Sequence, residues 1–163
     1  MAPRALKDWK GVVLKLQTKY FGLIDCEEKE AIQFPDGIPG FQEEKRFMLL
    51  PFADSNNTML CLQSVETPML AFVLLDPFSL LPDYQPDLQR EDLERFEVQS
   101  GEQLYFYVLC TMRTPISSST VNLRCPIAIN PNTLVAHQVF LDADKYEMRH
   151  LLSSFENDGG KPC

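Results

Sequence analysis

The sequence predicts a β-dominated fold, a small antiparallel β-barrel-like domain with one or two short helices. Three observations predict it. Short runs rich in Val, Ile, Leu, Phe and Tyr recur along the chain, as half-buried or fully buried strands require. Pro, Gly, Asn and Asp punctuate them, and these are the residues that set turn geometry. Helical patterning is confined to a short stretch at 90–96, and no repeat of 20–50 residues is visible. That combination leaves a barrel or a sandwich.

Taken in order, residues 1–10 carry the sole tryptophan, Trp9, and mixed charge, and read as a loosely ordered leader. A single domain is expected over 11–152. Val12–Thr18 alternates from Leu14 onward, and a second strand is expected over Tyr20–Ile24. Ala31–Phe34 leads into Phe34-Pro35-Asp36-Gly37-Ile38-Pro39-Gly40-Phe41. Pro35 and Pro39 fix φ and lack an N–H, while Gly37 and Gly40 reach positive φ, so this is a rigid structural turn. Phe34, Ile38 and Phe41 are expected to hold it against the core.

Arg46–Phe52 reads as a strand closed by the polar loop Asp54-Ser55-Asn56-Asn57. Met59–Val65 and Met69–Leu75 form a hairpin around Glu66-Thr67-Pro68, ended by Asp76-Pro77. Leu80–Pro86 is irregular, and Arg90–Phe96 is a short helix. Gln103–Met112, the longest apolar run, is a central strand; Thr120–Leu123, Pro126–Asn130 and Leu134–Phe140 follow, with Asn130-Pro131-Asn132 as a turn. The stretch 153–163 is flexible by composition.

The chain of 163 residues, 45% hydrophobic and 10% aromatic, is long enough for one self-sufficient core. It has no apolar run of transmembrane length and no signal-peptide core at its N-terminus, so a cytoplasmic location is expected. Cys26, Cys61, Cys110, Cys125 and Cys163 are odd in number and contain no C-x-x-C pair, which does not suit a disulfide framework. Cys61 and Cys110 sit in apolar runs and read as small buried hydrophobes. His137 and His150 are isolated, so no metal site and no cofactor are expected.

The formal charge of −8 opposes phosphate, and direct nucleic-acid binding is not expected. It permits, without demanding, attraction of a basic protein partner instead. Phosphate-loop, dinucleotide, nucleophile-elbow and zinc-protease motifs are absent. Asp36-Gly37 and Asp76-Pro77 place carboxylates at turns, where Asp bonds its own backbone. Cys125 and His137 could make a nucleophile pair, but nothing local supports it. The chain therefore does not read as an enzyme.

What remains is acidic. Between Asp83 and Glu97 six acids stand against two bases, with Tyr84, Leu88, Leu93 and Phe96 between them. A solvated segment with apolar anchors explains this; so does a docking surface, in which anchors give affinity and acids give association rate. The docking reading assigns partner contact to Asp83, Tyr84, Asp87, Glu91 and Asp92. Asp25, Glu27, Glu28 and Glu30, with Lys29, make a second acidic patch.

Several ordered blocks carry a resemblance. They include Thr18-Lys19-Tyr20-Phe21-Gly22, the Phe34–Phe41 turn, Leu62-Gln63-Ser64-Val65, Leu70-Ala71-Phe72-Val73 and Asp76-Pro77. Pro82-Asp83-Tyr84, Thr120-Val121-Asn122-Leu123, Pro126-Ile127 with Ile129-Asn130, and Tyr146 with Arg149-His150 continue the series. In this order the blocks resemble the FliW family of flagellar assembly factors. The resemblance implies a non-enzymatic β-barrel-like domain that binds flagellin and the RNA-binding translational regulator CsrA, the latter away from its RNA surface; a monomer is the expectation from the size of a closed barrel, not from the resemblance. It implies that FliW freed by flagellin depletion captures CsrA and lifts repression of flagellin translation. The alternatives are a flagellin secretion chaperone alone, or a ligand-binding or enzymatic barrel with a pocket beneath the Phe34–Phe41 turn. The family begins near the Thr-Lys-Tyr-Phe-Gly block, whereas residues 1–17 precede it here, and Arg124-Cys125 interrupts a segment that is often apolar.

Overall fold

The computed structural model describes residues 12–155; the expected leader, 1–10, and residues 156–163 of the expected tail lie outside them. Eleven strands and two short α-helices are described: β1 Val13–Gln17, β2 Leu23–Glu27, β3 Ile32–Gln33, β4 Arg46–Pro51, β5 Met59–Ser64, β6 Ala71–Leu75, α1 Pro77–Leu80, α2 Arg90–Phe96, β7 Tyr105–Thr111, β8 Thr120–Val121, β9 Ile127–Asn130, β10 Val135–Gln138 and β11 His150–Leu151. No helix among the described residues is long and apolar enough to cross a membrane.

Seven strands close a barrel in the order β7-β6-β5-β4-β3-β10-β9, with β9 returning to β7. Closure uses β7 twice over. On one edge Val108–Cys110 pairs with β6; the other edge is shared, Tyr105–Tyr107 pairing with β9 and Cys110–Thr111 with β8. All pairings in the barrel are antiparallel except β3 with β10. Closing the sheet removes the unpaired edges that an open sheet exposes.

The period-2 alternation of each strand feeds two cores. The inner one takes a side chain from every barrel strand: Ile32, Phe47, Leu60 and Leu62, Leu74, Ile127 and Ile129, and Ala136, with Tyr107 and Leu109 of β7 packed against it. The intervening positions Val73, Phe106, Val108 and Ala128 point to an outer core, closed by Tyr84, Phe96, Leu123, Val139 and Leu141 from segments outside the barrel. A third, smaller core joins the β1–β2 hairpin to Met48. Strands buried on both faces explain why several runs read as continuously apolar.

Phe34 and Ile38 of the turn enter the inner core. Phe41 is 41% exposed and meets Phe72 edge-on at 5.2 Å, so it is a lid at the rim rather than a core residue. Gly37 has φ +68° and Gly40 φ +89°, as the turn requires. The Asp54–Asn57 loop is also built on left-handed backbone, at Asp54, Asn56 and Asn57, residue types that tolerate it.

Four expectations shift. The second strand starts at Leu23, because Tyr20-Phe21-Gly22 forms the β1–β2 turn, with Thr18 Oγ1 accepting from Phe21 N. A further strand, β11, pairs His150 with Val121. The 3-10 turn Leu152–Phe155 carries regular structure three residues past the expected domain end, its Phe155 stacking on His150 at 4.7 Å. Finally, the second acidic patch is largely paired off: Lys15 meets Asp25 at 2.9 Å across the hairpin, Lys29 meets Glu27 at 3.5 Å, and Arg46 meets Glu28 at 3.0 Å. Lys15 is set opposite Asp25 by the β1–β2 register and Arg46 arrives from β4, neither of which linear spacing revealed.

Candidate protein-binding site

Residues 76–104 leave the barrel after β6, carry both helices, and return as β7. Asp76 behaves as expected, its Oδ1 accepting from Phe78 N at 2.9 Å to cap α1. The excursion is then strapped to the barrel by polar contacts of long sequence separation. Tyr84 donates its hydroxyl to Leu123 O at 2.6 Å, Tyr146 Oη accepts from Gln85 N at 2.8 Å, and Asn130 donates to Phe96 O at 2.9 Å. Arg95 reaches Asp36 Oδ2 at 3.1 Å and His137 Nδ1 at 2.8 Å, tying α2 to the Phe34–Phe41 turn.

This arrangement separates the five residues assigned to partner contact. Asp83, Asp87 and Glu91 are exposed on the strap. Tyr84 is 3% exposed, with its ring 4.7 Å from that of Tyr146, and burial pushes its phenol well above the usual range. It is a core anchor and offers no surface. Asp92 is the N3 residue of a capping box: Gln89 accepts from its N–H while its carboxylate accepts from Gln89 N at 3.3 Å. It is half-buried and also faces Arg95 at 3.7 Å, so its role is to start α2. Asp36 likewise departs from the expected backbone turn bond, because Arg95 claims its carboxylate.

Two concavities flank the strap. The larger, about 650 Å³, lies between the strap and β7. Leu88, Leu93, Leu104 and Phe106 floor it, Tyr105 stands 59% exposed at its edge, and Asp76, Asp87 and Glu102 line it without any base. That volume is within the range of about 300–1,000 Å³ typical of binding clefts. The smaller, about 180 Å³, sits beside the Phe34–Phe41 turn and is lined by Asp36, Gly37, Gln42, Arg95, His137 and Gln138. A pocket therefore does exist where the ligand-binding alternative places one, but it is small and its charged groups face one another.

Among the described residues, the buried cysteines are not prepared as nucleophiles. Burial pushes the thiols of Cys61 (to about 11), Cys110 and Cys125 upward, away from the reactive thiolate. Desolvation and the Arg95 guanidinium lower the His137 pKa, and its Nδ1 is engaged by Arg95 rather than by a thiol. Among the described residues, no three or more His, Cys, Asp or Glu side chains gather as metal ligands.

A closed β-barrel strapped by an acidic, apolar-floored excursion defines the class: a compact seven-stranded barrel scaffold. The FliW protein family model matches residues 15–152. The flagellar assembly factor FliW of Geobacillus sp. (strain WCH70) is 42% identical over 139 residues, covering 85% of this chain and 95% of its own length. That of Clostridium botulinum (strain Langeland / NCTC 10281 / Type F) is 36% identical, covering 85% of this chain and 96% of its own. A crystal structure of the flagellar assembly factor FliW superposes with a TM-score of 0.77 at 40% identity, covering 85% of this chain and 96% of its own. The chain belongs to the FliW family. Its relatives are named as assembly factors, not as enzymes.

The sequence signal that could have shown Tyr84 to be internal was present but ambiguous. It lies among prolines and acids, and the Leu123 carbonyl and Tyr146 ring that hold it inside come from distant parts of the chain. His137 and Arg95 had no local signal at all.

Proposed function

We propose that the protein is a regulatory assembly factor that binds flagellin and the translational regulator CsrA. Bound flagellin occupies it while flagellin is abundant; on depletion the freed factor takes CsrA and relieves repression of flagellin translation. Family membership supports this reading, and the observation that carries it is the strap. Asp83, Asp87 and Glu91 stand in solvent on a backbone pinned at Tyr84, Phe96 and Arg95. Such a surface needs little ordering on binding, and its field accelerates encounter with a basic RNA-binding protein while repelling RNA.

The test is a binding titration with purified flagellin and CsrA, singly and in competition, on wild type and on the Asp83→Lys, Asp87→Lys, Glu91→Lys triple variant. CsrA association is expected to slow about tenfold or more in the variant and to weaken with added salt in the wild type. Salt-independent binding, or an unaffected variant, would remove the electrostatic account. Binding of flagellin without CsrA would leave a secretion chaperone.

A further inference from the structure

Barrel closure leaves one ladder position of β7 open, and it faces the larger cleft. The ladder with β6 ends at Leu75 opposite Val108, while Tyr105–Tyr107 pair with β9 on the other edge alone. Asn122 N–H donates to Leu109 O at 3.0 Å, so the main chain of Leu109 faces the edge that β8 and β9 share. Burial alternates without a break from Tyr105 to Thr111. Antiparallel geometry then turns the main chain of Tyr105 and Tyr107 to β9 and that of Phe106 to the β6 edge. Continuing the β6 register past Leu75 puts Pro77 opposite Phe106. Pro77 has no N–H, and its carbonyl accepts from Leu81 N at 2.8 Å in α1. Among the described residues, none bonds the Phe106 N–H or C=O on that edge.

Phe106 is 7% exposed and lines the cleft beside Asp76, Tyr105 and Tyr107. We propose that the cleft accepts an extended segment of a partner protein, which adds to β7 as a continuation of β6 and pairs its main chain with Phe106. Strand addition draws affinity from main-chain bonds and selectivity from alternate side chains. Phe106 shares the apolar floor with Leu88, Leu93 and Leu104, so the residue set opposite it is large and apolar. Asp76, Asp87 and Glu102 line the cleft and no base does, so Lys or Arg flanks that residue. Asp87 also meets Lys145 at 3.2 Å, but both groups are largely exposed and the pair leaves the carboxylate open to competition. A net charge of −8 disfavours a second copy as the occupant. The inference deepens the protein-binding reading above and rests on it: the exposed strap acids speed encounter, and the cleft holds the segment.

Residue-resolved amide hydrogen exchange on the full chain tests this, with a capped heptapeptide as probe, lysine alternating with valine around a central leucine. In the free protein the Phe106 amide is expected to exchange about tenfold or more faster than those of Tyr105 and Tyr107, which β9 protects. The peptide is expected to slow it. N-methylation of the central leucine removes the donor that Phe106 O requires, and should weaken binding about tenfold or more. Glu102→Lys is expected to weaken the peptide several-fold more than Glu43→Lys, an equal charge change at an exposed site outside the cleft. A Phe106 amide as protected as its neighbours in the free chain overturns the proposal. So does equal binding of the N-methylated peptide, or equal losses in the two lysine variants. Protection that grows with protein concentration alone overturns the partner form and makes a second copy the occupant. Purified flagellin and CsrA separate this from the function proposed above. Binding of either that leaves Phe106 exchange unchanged overturns the cleft as a partner site and spares that function, whereas peptide pairing when neither binds supports the cleft and removes that function.

Discussion

Gly37 and Gly40 look equivalent in the sequence, yet the structure separates them. Both have positive φ, at +68° and +89°, so an alanine at either adopts the left-handed region at about 1–2 kcal/mol. A Cβ on Gly40 meets nothing within 4 Å, whereas one on Gly37 falls 2.6 Å from Gln42 Cα and 2.7 Å from its carbonyl oxygen. Those are backbone atoms, and they can give way only by moving the turn that holds Ile38 in the inner core. Overpacking of this kind costs a further 1–3 kcal/mol or so. Gly37→Ala is therefore expected to destabilise by roughly 2–5 kcal/mol, and Gly40→Ala by roughly 1–2 kcal/mol. For a domain of this size the difference corresponds to about 2–12 °C in Tm. Urea unfolding of both variants beside wild type, with the m-value checked for constancy, measures it. Equal losses at the two positions would show that the Gln42 contact relaxes freely and that only backbone conformation matters there.

Two other predictions concern α2 and the β10 histidine that its Arg95 contacts. Asp92→Ala removes half of a capping box and should cost about 1 kcal/mol by urea unfolding, whereas Glu91→Ala, exposed beside it, should stay within about 0.5 kcal/mol. Equal costs would dissolve the division between cap and surface. His137 has its folded pKa lowered, chiefly by burial and then by Arg95, so the unfolded chain takes up the proton first as pH falls. The stability from neutral His137 is complete above about pH 6.5 and is lost as pH drops below that value toward the folded pKa. Tm measured across this window should decline less steeply in His137→Gln than in wild type, and parallel curves would refute the assignment.

Much of the barrel could be read along the chain. Nearly every strand was expected within a few residues, because its alternation and its bounding Pro, Gly, Asn or Asp residues act locally. Tyr20-Phe21-Gly22 misled because aromatic β-propensity was weighed above the glycine that turns the hairpin at φ +71°. The site was less legible. Asp83, Asp87 and Glu91 fell on the surface as their charge suggested, but Tyr84 and Asp92 were placed there by composition when the fold uses one as an anchor and the other as a cap.

By itself, the sequence determined the β-rich architecture, the rigid Phe34–Phe41 corner, the acidic balance and the family. Those properties depend on each residue and its near neighbours. Tertiary structure alone decided that β9 closes onto β7, that Lys15 and Arg46 quench the second acidic patch, and that the strap and β7 enclose a cleft. It also decided that Arg95 joins Asp36 across 59 residues of chain. Burial and charge pairing are set by which distant side chains the closed barrel brings within a few ångströms, and local propensity carries no record of that.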